Sequence, residues 1–188
     1  MAPLDDPRAA APEARGVTRQ LAYRGRAISV WVEDAVLPNG VTTPLDIVRH
    51  PGAAAVVPFE RDDRVLLIRQ YRHAAGGTIW EVPAGKLDGD SPEACAAREL
   101  EEEAGRRAGR LVPLGAIWTT PGFTDERIHL FAAFELAEVP HRREEHEVIE
   151  LVPLPLDAAL ELVWSGELSD AKSALALIHA ARLVGRLR

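Results

Sequence analysis

The sequence predicts an α/β fold in which a sheet is covered by helices. Three observations predict it. Short apolar runs rich in Val, Ile and Leu recur along the chain, bounded by Gly, Pro, Asn and Asp. Segments with helix start and stop signals lie among them. The chain has 188 residues, 47% hydrophobic and 27% charged, enough for one domain with a sizeable core and too apolar for wholesale disorder.

In chain order, residues 1–18 are rich in Ala, Pro and charge. They lack the basic start and apolar block of a secretory signal and read as a mobile tail. Residues 19–24 and 26–33 predict two short strands around Gly25, and 45–49 a third after the turn Pro38-Asn39-Gly40, so 19–50 forms an N-terminal strand region. The main domain spans 51–188. It opens with AAAVVPF at 53–59 and RVLLIRQY at 64–71, a β-hairpin with buried strands. A short strand at 79–82 precedes a helix over 91–105. Ser91 can cap that helix, Pro92 suits its first turn, and Gly105 can end it in a left-handed conformation. Strands follow at 111–119, 127–136 and 147–152, and helices at 157–164 and 169–187.

Charge excludes whole classes of partner. A net charge of −7 and a pI near 5.4 argue against a general nucleic-acid or anionic-membrane binder. No apolar run approaches the roughly 20 residues a membrane span needs. The single cysteine, Cys95, excludes an intrachain disulfide framework and a multi-cysteine zinc site, and fits a reducing cytoplasm.

The sharpest feature is Arg98-Glu99-Leu100-Glu101-Glu102-Glu103. At about 100° per residue, Glu99, Glu102 and Glu103 share one helical face, while Ala97, Leu100 and Ala104 form an apolar face that can pack on the sheet. Glu101 points away, and Arg98 can pair with Glu102 one turn on. Three like charges on one face repel unless a hard divalent cation such as Mg²⁺ or Mn²⁺ joins them. A solvated acidic surface is the alternative. The approach to the helix favours the cation: Trp80-Glu81-Val82-Pro83-Ala84-Gly85 is a strand end followed by a Gly-containing loop, with backbone groups free for a ligand.

These residues resemble the box of the Nudix hydrolases, Gly-x5-Glu-x7-Arg-Glu-apolar-x-Glu-Glu-x-Gly-apolar. Arg98, Glu99, Leu100, Glu102, Glu103 and Gly105 match its second half. The first half departs: Asp90 stands in place of Glu, the loop from Gly85 is one residue short, and Arg106 replaces the last apolar residue. RQYR at 69–72, WEVPAG at 80–85, PGFTDE at 121–126 and Pro121, about sixteen residues past Gly105, resemble the ADP-ribose pyrophosphatase branch. GDP-mannose pyrophosphatases look similar over much of the same length.

The resemblance implies a Nudix-type α/β/α sandwich with a mixed sheet and a small N-terminal β region that helps form a homodimer. It implies hydrolysis of ADP-ribose, or a related nucleoside diphosphate sugar, by water activated on two or three Mg²⁺ or Mn²⁺ ions. Their ligands are Glu99, Glu102, Glu103 and the Ala84 carbonyl. A catalytic Glu belongs in the loop over 142–147, where Glu145 and Glu147 are the candidates and Glu147 is preferred. Arg72 is expected on phosphate or ribose; Arg69, on the opposite face of the strand, either contacts the substrate too or pairs structurally with an acid. Glu81 either bonds a sugar or pairs with an arginine. Asp125 and Glu126 are placed at the terminal ribose. Tyr23, Trp31, Trp80 and Trp118 are the aromatics able to stack a base. A binding module without catalysis is the rival of a different class.

Overall fold

A computed structural model describes residues 18–61, 63–143 and 147–187. The tail expected over 1–18 and the candidate Glu145 therefore lie outside the described residues, except for Thr18, which opens the first strand. The chain divides into two compact units, one up to Pro51 together with Trp118–Arg127, the other Gly52–Ile117 with Ile128–Arg188.

The first unit holds β1 (Thr18–Arg24), β2 (Ser29–Val36) and β3 (Thr42–Arg49), an antiparallel sheet in that order. Its strands differ from expectation at their ends. The Gly25 amide donates to the Ile28 carbonyl, which takes 26–28 out of the ladder. Val36 pairs with Thr42 across the Pro38-Asn39-Gly40 turn, so β2 and β3 run right up to it. Thr124 bridges Val48, whose amide donates to Phe123 O at 2.8 Å, so 118–127 is latched along β3.

The second unit contains β4 (Ala53–Arg61), β5 (Arg64–Arg72), β6 (Gly77–Glu81), β7 (Ala84–Lys86), α1 (Pro92–Ala104), β8 (Arg106–Trp118), β9 (Arg127–Glu138), β10 (Ile149–Pro155), α2 (Leu156–Ser165) and α3 (Ala171–Leu183). The sheet order is β10-β5-β4-β9-β8, with β6 on β5 and β7 on β4. β4 and β9 are parallel, and β4 and β5 antiparallel, so the sheet is mixed. Alternation along β4 divides the core. Ala54 and Val56 pack under α1 with Leu66, Cys95, Ala96, Leu100 and Ala104. Ala55, Val57 and Phe59 pack on the other face with residues of α2 and α3. Helices on both faces make the α/β/α sandwich. β8 starts at Arg106, earlier than the expected 111, because RRAGR has no apolar alternation and is recruited by its neighbour β9. No helix among the described residues is long and apolar enough to cross a membrane.

Candidate active site

The site is built on one strand–loop–helix passage. β7 pairs with β4, and the Leu87 amide donates to the Gly52 carbonyl. The loop then closes by a tight turn. The Asp90 amide donates to Leu87 O at 2.8 Å, with Asp88 and Gly89 both at positive φ, 45° and 97°. Asp-Gly is suited to two successive positive φ values, and this turn brings the chain directly to the Ser91 cap. Ser91 caps α1 by accepting from the Ala94 amide at 3.2 Å, and Gly105 ends it at φ 61°. At Gly105 a side chain would also meet the Val139 carbonyl, so glycine is required twice over.

Burial along α1 corrects one expectation. The sheet-facing stripe is Cys95, Ala96, Leu100 and Ala104, with Ala97 only half-buried. Glu103 falls in the middle of that stripe at 2% exposure and Glu99 beside it at 7%. Glu102 sits at the rim. Two of the three carboxylates are therefore inside the protein, where an unpaired charge is costly. Burial pushes the Glu103 carboxyl up to about 8, against the Ala84 amide that donates to its Oε2 at 3.0 Å. Glu99 is also raised, chiefly by burial, despite Arg98.

Arg98 organises the mouth. Its NH1 donates to Glu99 Oε1 at 2.7 Å and to Glu102 Oε2 at 3.0 Å, the expected one-turn pair included. Its NH2 donates to Lys86 O and its Nε to Asp90 Oδ2 at 3.2 Å, so Asp90 orients the arginine. Among the described residues no three acidic, His or Cys side chains form a ready-made cation cage, and the guanidinium lies between Glu99 and Glu102. The donor set nevertheless suits a hard cation: buried carboxylates with raised pKa and a glycine whose missing Cβ leaves room for one of them. A Cβ on Gly85 would lie inside the Glu99 carboxylate. Gly85→Ala should fold normally, because the end of the Glu99 side chain can swing away. It should lower kcat by about 10–100-fold, because it displaces one carboxylate of the cluster whose donor set suits a hard cation. Steady-state kinetics beside a thermal melt check this, and an unchanged kcat would contradict it.

The other expected residues fall into distinct environments. Glu81 takes the arginine-pairing alternative. It is 1% exposed, and it accepts from Arg72 Nε at 2.7 Å and NH2 at 3.0 Å and from Lys172 Nζ at 2.6 Å. Lys172 also donates to Asp170, which caps α3. Arg69 stands 3.9 Å from Glu150 and stacks over Trp80. In the first unit, Asp125 accepts from Arg49 NH1 at 3.0 Å and from the His50 amide at 2.9 Å, while Glu126 accepts from Thr119 Oγ1 at 2.9 Å. Of the aromatic candidates Tyr23 is exposed, and Trp31, Trp80 and Trp118 are half-buried. Glu147 is close enough for its charge to raise the carboxyls of both Glu99 and Glu103. Arg106, in the box's last apolar position, reaches Glu60 at 3.1 Å instead of packing as an apolar side chain would.

Sequence reasoning missed Lys172 and Arg143. Lys172 is 91 residues from Glu81, and Arg143 Nε donates to the Glu103 carbonyl 40 residues away at 2.8 Å. No local pattern signals either.

Comparison with known proteins agrees with this geometry. A NUDIX domain model matches residues 48–174. An ADP-ribose pyrophosphatase of Bacillus subtilis is 42% identical over 168 residues, 88% of this chain and 91% of that protein. A GDP-mannose pyrophosphatase of Cronobacter sakazakii is 37% identical over 152 residues, 71% of this chain and 79% of that protein. Among solved structures, one of an ADP compounds hydrolase is similar with a TM-score of 0.77 at 24% identity, covering 94% of this chain and 100% of that one, a likeness of fold.

Proposed function

The chain belongs to the Nudix hydrolase family, and from that premise we propose that it cleaves the pyrophosphate bond of ADP-ribose, giving AMP and ribose 5-phosphate. The observation that carries this is the burial of Glu99 and Glu103 beside Glu102 under a glycine-bearing loop. Buried acids aimed at a cation explain that arrangement, and a solvated acidic surface does not.

Glu99, Glu102, Glu103 and the Ala84 carbonyl are the proposed ligands of two or three Mg²⁺ or Mn²⁺ ions. Bound there, the metal would neutralise the pyrophosphate and lower the pKa of a bound water. Arg72 binds a phosphate oxygen, its guanidinium held at the strand end by Glu81. Glu147 accepts the proton of the attacking water. The new P–O bond forms as the bridging P–O bond breaks, and the departing phosphate keeps that electron pair. Arg69, Glu81, Asp125 and Glu126 are assigned to positioning, since each is already bonded within its own unit.

The N-terminal strand region is the proposed dimer surface. Its sheet leaves Leu21, Tyr23, Val36 and Leu45 exposed, apolar area that a second copy would cover. A cytoplasmic location fits the lone buried thiol, Cys95.

A panel of nucleoside diphosphate sugars assayed with Mg²⁺ tests the substrate. AMP release fastest from ADP-ribose is the expected outcome. A preference for GDP-mannose, the substrate named for the Cronobacter sakazakii relative, would move the assignment to that sugar and leave the chemistry in place.

A further inference from the structure

The last carbonyls of a helix have no partner inside it. At the end of α1 three of them are met by groups beyond its last residue. The Gly105 amide donates to Glu101 O, and the Arg142 amide donates to Glu102 O at 3.1 Å. Arg143 Nε donates to Glu103 O at 2.8 Å. The last turn of α1 contains no basic residue, so the cation that suits a helix C-terminus arrives from a distant segment. The same Arg143 does a second thing: its NH1 donates to Ile149 O at 2.7 Å. One rigid guanidinium thus bonds the backbone of a proposed metal ligand and the backbone two residues beyond Glu147.

We propose that Arg143 is a positioning residue for hydrolysis, strapping the start of β10 to the end of the carboxylate helix so that Glu147 is held at a set distance from the metal-binding acids. This rests on the reading of Glu147 as the base. A flexible ammonium cannot reproduce the strap, because the two carbonyls are reached by different nitrogens of one planar fork. The tether explains why an arginine stands beside a run of acids in HRREEHE at 141–147. It also explains how a base just ahead of β10 keeps register with ligands on a helix more than 40 residues earlier in the chain.

The experiment is a double-mutant cycle of Arg143→Lys and Glu147→Gln in the full-length chain. The assay uses whichever diphosphate sugar in the panel the parent turns over fastest, with Mg²⁺. Arg143→Lys keeps a cation at the helix end and so preserves the fold. It should lower kcat about tenfold or more with KM within about twofold, as loss of an outer support does. In the Glu147→Gln background the same change should cost less than about twofold, because its effect is already lost. Arg143→Ala should be partly restored by millimolar guanidinium. Parent-like kcat in Arg143→Lys, or an equal fold-loss in both backgrounds, would overturn the strap. Full activity in Glu147→Gln alone would instead remove the base assignment, and an inactive parent would remove the proposed function.

Discussion

Glu103→Gln should reduce hydrolysis by about 10²–10³-fold or more while leaving the metal-free protein at least as stable at pH 8. The two halves have one cause. Glu103 lies in the middle of the buried stripe of α1, and its carboxyl titrates near 8. The sign follows from proton binding. Between the ordinary glutamate value, about 4.3, and 8 the folded state holds a proton that the unfolded state has released. The stability of the metal-free protein therefore falls as pH rises through that window. Glutamine cannot ionise, keeps an oxygen for the Ala84 amide, and removes this decline. Melts in chelator from pH 5 to 8 should slope downward for the parent and run flatter for the variant. Adding Mg²⁺ at pH 8 should raise the parent's Tm and leave the variant's nearly unmoved, since binding to the native state alone stabilises it. A variant that still hydrolyses at the parental rate, or gains the same Tm from Mg²⁺, would strip Glu103 of its metal role.

Glu81→Ala should cost about 3 kcal/mol of stability, the low end of the range for breaking a buried ion pair. The low end applies because the Arg72 side chain is 41% exposed and regains water once released. Lys172, more deeply placed, keeps Asp170. The variant should also raise KM, because Arg72 loses both bonds that aim it. The pH dependence runs opposite to that of Glu103. Burial pushes the Glu81 carboxyl up, but the hydrogen bonds from Arg72 and Lys172 and their charges outweigh it and hold it below the ordinary value. Its stabilisation is thus present above about pH 4.3 and lost as pH falls through the depressed value. Urea midpoints at pH 7 should separate parent and variant clearly, and the gap should close in acid. Equal midpoints at pH 7 would mean that the cluster is not holding the fold there.

Much of the site was legible because its signals are local. Ser91, Pro92 and Gly105 bracket α1 through bonds within four residues, and the Arg98–Glu102 pair follows from helical pitch alone. The β4–β5 hairpin was legible from two buried runs around one polar turn. The N-terminal strands were found with the wrong ends, because the turn at Gly25 and the pairing of Val36 with Thr42 are set by hydrogen bonds between segments. Glu81 carried two readings; the structure pairs it with Arg72 nine residues before it, and adds Lys172, 91 residues on, which no local pattern signalled.

By itself the sequence determined the helix, its caps and the angular grouping of Glu99, Glu102 and Glu103, since these depend on pitch and on side chains a few residues apart. Which of those acids is desolvated was decided only when α1 lay on the sheet, because burial belongs to the packed pair and not to either element. The same holds for Glu81 under Lys172 and for Arg143 at the end of α1. A charge becomes costly, aimed or paired only in the dielectric and among the partners that the fold brings to it.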